Sequence, residues 1–82
     1  MNILVRNLSR KTSENTLRQL FSSFGLISSL NIVMDEITGQ SKGFGFVEMP
    51  ENKEALKAIK ALNNSQLDGE RIRVKVTNQR KK

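Results

Sequence analysis

Lys42-Gly43-Phe44-Gly45-Phe46-Val47-Glu48-Met49 decides how this chain folds, because as a β-strand it sorts its side chains into two sets that cannot both be buried. Lys42, Phe44, Phe46 and Glu48 point one way; Gly43, Gly45, Val47 and Met49 point the other. Phenylalanines in strands are usually core residues. Burying these two, however, would also bury Lys42 and Glu48, at several kcal/mol each unless paired, and would leave Val47 and Met49 in water. The glycine set is therefore the inner one, and two phenyl rings face outward.

Upstream, Ile3 and Val5 alternate with Leu4 and Arg6, which predicts a short strand over residues 2–7. The polar run Ser9-Arg10-Lys11-Thr12 leads to a helix. Ser13 offers an oxygen to the unpaired N–H groups of the first turn, and Glu14 suits the positive helix end. Leu17, Leu20, Phe21 and Phe24 then form one apolar stripe, with Gly25 as a left-handed stop. Ile27 to Met34 reads as a second strand, Leu30 and Ile32 on one face and Asn31 and Val33 on the other. The polar Asp35 to Ser41 segment, with its Thr38-Gly39 turn signal, links it to the third strand at about residues 42–49, and Pro50 ends that ladder. A second helix from near Asn52 buries Ala55, Ala58, Ile59 and Leu62, with Lys53, Lys57 and Lys60 as its solvated face. Asn63-Asn64-Ser65 breaks it, Asp68-Gly69 turns, and Arg71 to Val76 forms the last strand.

The order is βαββαβ, an α+β arrangement. Both helices need the same sheet face, so the other face of a four-stranded antiparallel sheet stays open to solvent.

A chain of 82 residues sustains one core, since at this length only about 60% of the unfolded surface can be buried. The absence of cysteine and histidine removes disulfides, thiolate nucleophiles, imidazole bases and the usual zinc sites; no metal or other cofactor is expected, and catalysis is not. No apolar run approaches the ~18 residues of a membrane span, and Ile3-Leu4-Val5 is too short for a secretory signal. These readings point to a cytoplasmic, monomeric chain without membrane attachment. Lys and Arg number 14 and Asp and Glu 8, for a net charge of +6. Residues 1–70 are neutral, with 8 of each sign, so the whole excess lies in Arg71, Arg73, Lys75, Arg80, Lys81 and Lys82. A domain over residues 1–77 followed by a basic tail at 78–82 is the division this suggests. A terminal Arg-Lys-Lys can equally be a plain solubilising tail.

Exposed paired aromatics call for a reason, and stacking under nucleic-acid bases supplies one, at about 1–3 kcal/mol per base. If Ile3 and Val5 turn inward, Leu4 and Arg6 face out; if Ile72 and Val74 turn inward, Arg71, Arg73 and Lys75 face out. Bases would meet an apolar centre, with Asn31 at its side, and phosphates a basic edge continued by Arg80, Lys81 and Lys82.

The octapeptide at 42–49 closely resembles the RNP octapeptide of the RNA recognition motif, and Ile3-Leu4-Val5-Arg6-Asn7-Leu8 resembles its hexapeptide. The resemblance covers nearly the whole chain, and the short form with Phe-Val-Glu-Met is similar to small bacterial and cyanobacterial members. It implies a ferredoxin-like sandwich with sheet order 4-1-3-2 and two helices on one face. It implies single-stranded RNA as partner, with Phe46 stacked on a base, Phe44 against sugars or between nucleotides and Lys42 on a phosphate. A post-transcriptional or RNA-chaperone-like role would follow. Three positions depart from the pattern. Leu4 stands where a third stacking ring is usual, Met49 replaces a core-facing aromatic, and Glu70 occupies a commonly basic position.

Three other readings compete. A protein-interaction module could use the same open face, and Leu4 serves that as well as it serves a base. Single-stranded DNA would stack equally. An acylphosphatase-type hydrolase shares the element order, but the loop from Asn7 to Ser13 has no glycine with which to wrap an anion.

Overall fold

The computed structural model describes residues 1–77 of the chain. Its strands are β1 (Asn2–Arg6), β2 (Ser29–Met34), β3 (Ser41–Glu48), β4 (Gln66–Leu67), β5 (Glu70–Arg71) and β6 (Arg73–Val76); its helices are α1 (Glu14–Ser22) and α2 (Asn52–Leu62). The main sheet runs β2-β3-β1-β6, antiparallel throughout. Counting β6 as the fourth long strand, this is the expected order 4-1-3-2.

Alternation in β1 and β3 divides inside from outside as the sequence predicts. Ile3, Val5, Val47 and Met49 are buried with Ile72, Val74, Leu17 and Phe21, while Lys42 and Glu48 are exposed. Both helices cover this one face, α1 against β2 and α2 against β6. The Ser13 hydroxyl caps α1 by accepting the Thr16 N–H at 3.1 Å.

The two inner glycines of β3 have separate reasons. Gly43 takes φ +86°, a conformation costly for any residue with a Cβ, while its carbonyl accepts the Leu8 N–H at 2.8 Å. At Gly45 the limit is space: a Cβ there would lie 2.5 Å from the Asn31 carbonyl oxygen and 3.1 Å from Ile32 Cα, both backbone atoms of β2. Gly45→Ala should therefore push β2 off β3 and cost about 1–3 kcal/mol. A lower urea midpoint with unchanged slope is the expected readout; an unaltered midpoint would contradict this packing.

Four details differ from the sequence reading. First, α1 ends at Ser22 rather than running to Gly25. The Ser22 and Ser23 hydroxyls bond back to the Gln19 carbonyl at 3.2 Å, and Phe24 packs on the core from outside the helix. Gly25 is instead the place where Glu54 crosses to accept the Leu26 N–H at 3.1 Å. Second, β2 begins at Ser29, two residues later than expected, and its register with β3 shifts between Ile32 and Met34. Third, Ile59 is only partly buried. Fourth, the last strand is not continuous from Arg71. Arg71 pairs with Gln66 in the small β4-β5 ribbon. Ile72 exchanges its backbone bonds with Ser65 and Asn64, at 2.9 and 2.8 Å, before β6 joins β1.

On each border strand of the sheet one backbone N–H is met by a side chain. On β2 the Ile32 N–H donates to Glu14 Oε2 at 2.9 Å, and on β6 the Val74 N–H donates to Asn63 Oδ1 at 3.0 Å.

Candidate nucleic-acid interface

Pairing across the sheet turns the outward residues into rows. One row reads Lys75, Leu4, Phe46, Asn31 from β6 to β2; the next reads Arg73, Arg6, Phe44. The sheet thus assembles Phe44, Phe46, Leu4, Arg6, Asn31, Arg73 and Lys75 on one surface, as the sequence predicts, with Lys42 exposed beside Phe44 at the start of β3. Arg71 is exposed but belongs to the β4-β5 ribbon, off the main sheet, because Ile72 breaks the strand. Arg80, Lys81 and Lys82 lie outside the described residues.

Phe44 and Phe46 are half-buried rather than fully in water. Their centroids are 6.2 Å apart with planes at 86°, an edge-to-face pair in which each ring covers part of the other. Such a pair contributes about 0.5–1.5 kcal/mol beyond area burial and holds the rings in place before any ligand arrives. Leu4, directly across from Phe46, is also half-buried and completes an apolar centre.

Arg6 and Arg73 stand directly opposite each other across β1 and β6, with no acid in their row. Like charges so placed repel and destabilise a sheet, so the arrangement favours an anion that relieves it. They line a cleft of about 500 Å³ with Asn7, Asn63, Val74 and Lys75. Sequence reasoning did not mark the two asparagines. Asn7, at φ 61°, ends β1 and donates its amide to the Arg71 carbonyl at 2.7 Å; Asn63 was legible only as a helix breaker.

The β2-β3 connection is internally braced. The Thr38 and Ile37 N–H groups donate to Asp35 Oδ1 at 3.1 and 2.8 Å and hold that carboxyl below the usual carboxylate range. This turn presents Ile37 to solvent, 95% exposed. Among the described residues no three His, Cys, Asp or Glu side chains converge on a possible metal site. No helix among them is long and apolar enough to cross a membrane.

Comparison with known proteins agrees with this geometry. The RNA recognition motif profile matches residues 3–73. Glycine-rich RNA-binding protein 1 of Mycosarcoma maydis is 44% identical over 78 residues, which are 95% of this chain and 45% of that protein. The chain thus spans less than half the length of that relative. The crystal structure of RNA binding protein PG1 superposes with a TM-score of 0.94 at 36% identity, covering 100% of this chain and 99% of that one. A complex of the Sxl-lethal protein with RNA gives 0.90 at 29%, over 98% and 48% of the two chains. With the profile covering most of its length and the octapeptide in the central strand, the chain belongs to the RNA recognition motif family.

Proposed function

We propose that this RNA-binding domain takes up single-stranded RNA on its open face, without catalysis, by stacking bases on Phe46 and Phe44 while Arg6, Arg73, Lys75 and Lys42 hold phosphates. The observation that carries the reading is the edge-to-face phenyl pair beside two opposed arginines: an apolar platform for bases adjoining an unneutralised cationic cleft. Arg71, outside the main sheet, and the segment Arg80 to Lys82 would add general electrostatic attraction. A monomer acting in post-transcriptional handling of RNA fits a domain whose partner-binding surface is one small sheet.

The direct test is an amide-resolved titration with short single-stranded RNA, single-stranded DNA and acidic peptides at two salt concentrations. Shifts centred on Leu4, Phe44, Phe46 and Arg73, larger at low salt, are expected with RNA. A response to peptide alone would favour the protein-interaction reading, and equal responses to RNA and DNA would remove sugar discrimination.

The missing third ring gives a further expectation. Leu4 sits between Phe46 and Lys75 in the central row, so Leu4→Phe should add a stacking surface and tighten RNA binding by about 1 kcal/mol, roughly fivefold. Unchanged affinity in a fluorescence-anisotropy titration would mean that bases do not pass over this position.

A further inference from the structure

One residue of the open face has the wrong sign for a phosphate site. Glu48 follows Phe46 on the same side of β3, about 7 Å further along the strand, and is exposed. Its row partners are Asn2 on β1 and Ser29 on β2, so no cation stands opposite it. Among the described residues its carboxylate has no hydrogen-bond or ion-pair partner. The face is therefore polarised. Arg6, Arg73 and Lys75 lie toward β1 and β6, and the acid lies at the far end of β3.

A second observation falls on the same side. Asn31, directly across from Phe46 on β2, has its Oδ1 buried with no hydrogen-bond partner. That oxygen is closed to water and so to a ligand on the open face, which leaves the Nδ2 amino group, a donor, as the end of the side chain that meets solvent. Glu48 and Asn31 are diagonal neighbours around Phe46, about 7–8 Å apart at the backbone. A base lying on Phe46 thus has the Glu48 carboxylate acceptors on one side and the Asn31 amide on the other.

We propose that Glu48 selects guanine for the position on Phe46. A carboxylate offers two acceptor oxygens in one plane. Guanine's Watson–Crick edge carries two adjacent donors, N1–H and the N2 amino group, and can meet both at once. Adenine and cytosine each bring one amino donor beside a ring nitrogen acceptor that repels the second oxygen. Uracil brings a single N3–H between two carbonyls. The same negative charge keeps the phosphate chain toward Arg6 and Arg73, so that bases rather than backbone pass over this end of β3.

This inference rests on the proposed use of the face for single-stranded RNA. Its test is binding, by fluorescence anisotropy, of short oligouridines carrying one central guanosine, inosine, adenosine, cytidine or uridine, to the wild type, Glu48→Gln and Glu48→Ala. The wild type should prefer guanosine over uridine by about tenfold, with inosine, which lacks the N2 amino group, clearly weaker than guanosine. Both variants should bind every oligomer but with the preference reduced to within about twofold, since the paired acceptors that distinguish guanine are gone. A wild type that binds all five alike, or variants that keep the guanosine preference, would overturn the assignment while leaving stacking on the face intact. Failure of every oligomer to bind would instead defeat the reading of the face itself, and this proposal with it.

Discussion

The double substitution Phe44→Ala/Phe46→Ala should lower affinity for single-stranded RNA by about 4 kcal/mol, roughly a thousandfold, with the domain still folded. Each ring lost removes about 1–3 kcal/mol of stacking. The effects should not simply add, because the rings touch at 6.2 Å and each single substitution also frees the remaining ring to move. The stability change is confined to the edge-to-face contact and the partial burial of the rings, so heat or urea unfolding should show a loss of no more than about 1–2 kcal/mol. Residual binding should rise steeply as salt is lowered, since what remains is the attraction of Arg6, Arg73, Lys75 and Lys42 for phosphate. If the double variant bound as the wild type does, the platform would have no part in recognition.

Phe21→Ala should give the reverse pattern. This ring, on the inner face of α1, has no solvent exposure and is among the largest fully buried side chains. Its truncation leaves a cavity between helix and sheet and costs about 3–5 kcal/mol. Against a typical domain stability of about 5–15 kcal/mol, that is enough to leave the variant marginal at ordinary temperature. RNA affinity of the fraction still folded should be unchanged, because Phe21 lies on the opposite side of the sheet from Leu4, Phe44 and Phe46. Measured together by denaturation and binding, Phe21 and Phe46 test the face assignment from both sides. Equal destabilisation by the two truncations would refute it.

Which side of β3 faces inward was legible because two charges, Lys42 and Glu48, alternate with Val47 and Met49; the electrostatic cost of the wrong choice outweighs the usual burial of phenylalanine. The stripe of Leu17, Leu20, Phe21 and Phe24 marked the first helix for a similar reason. It overstated its length, since Phe24 reaches the core from a turn and apolar spacing does not report where backbone hydrogen bonds stop. The break at Ile72 was hidden in the same way. Burial alternates without interruption from Arg71 to Lys75, so the side chains keep a strand's period while the backbone of Ile72 pairs with Asn64 and Ser65 instead of β1. Of the interface, the members defined by side-chain direction were readable. Those defined by contact were not: the mutual cover of the two rings, the roles of Asn7 and Asn63 at the cleft, and the unmet oxygen of Asn31 depend on cross-strand register, which a single sequence leaves open.

Glu14 and Asn63 reach back to the N–H groups of Ile32 and Val74, one on each border of the sheet. An open sheet edge is a template for fibrous association between copies of a domain. With one amide of each border strand already committed to a side chain, a second copy would find either edge a poorer template.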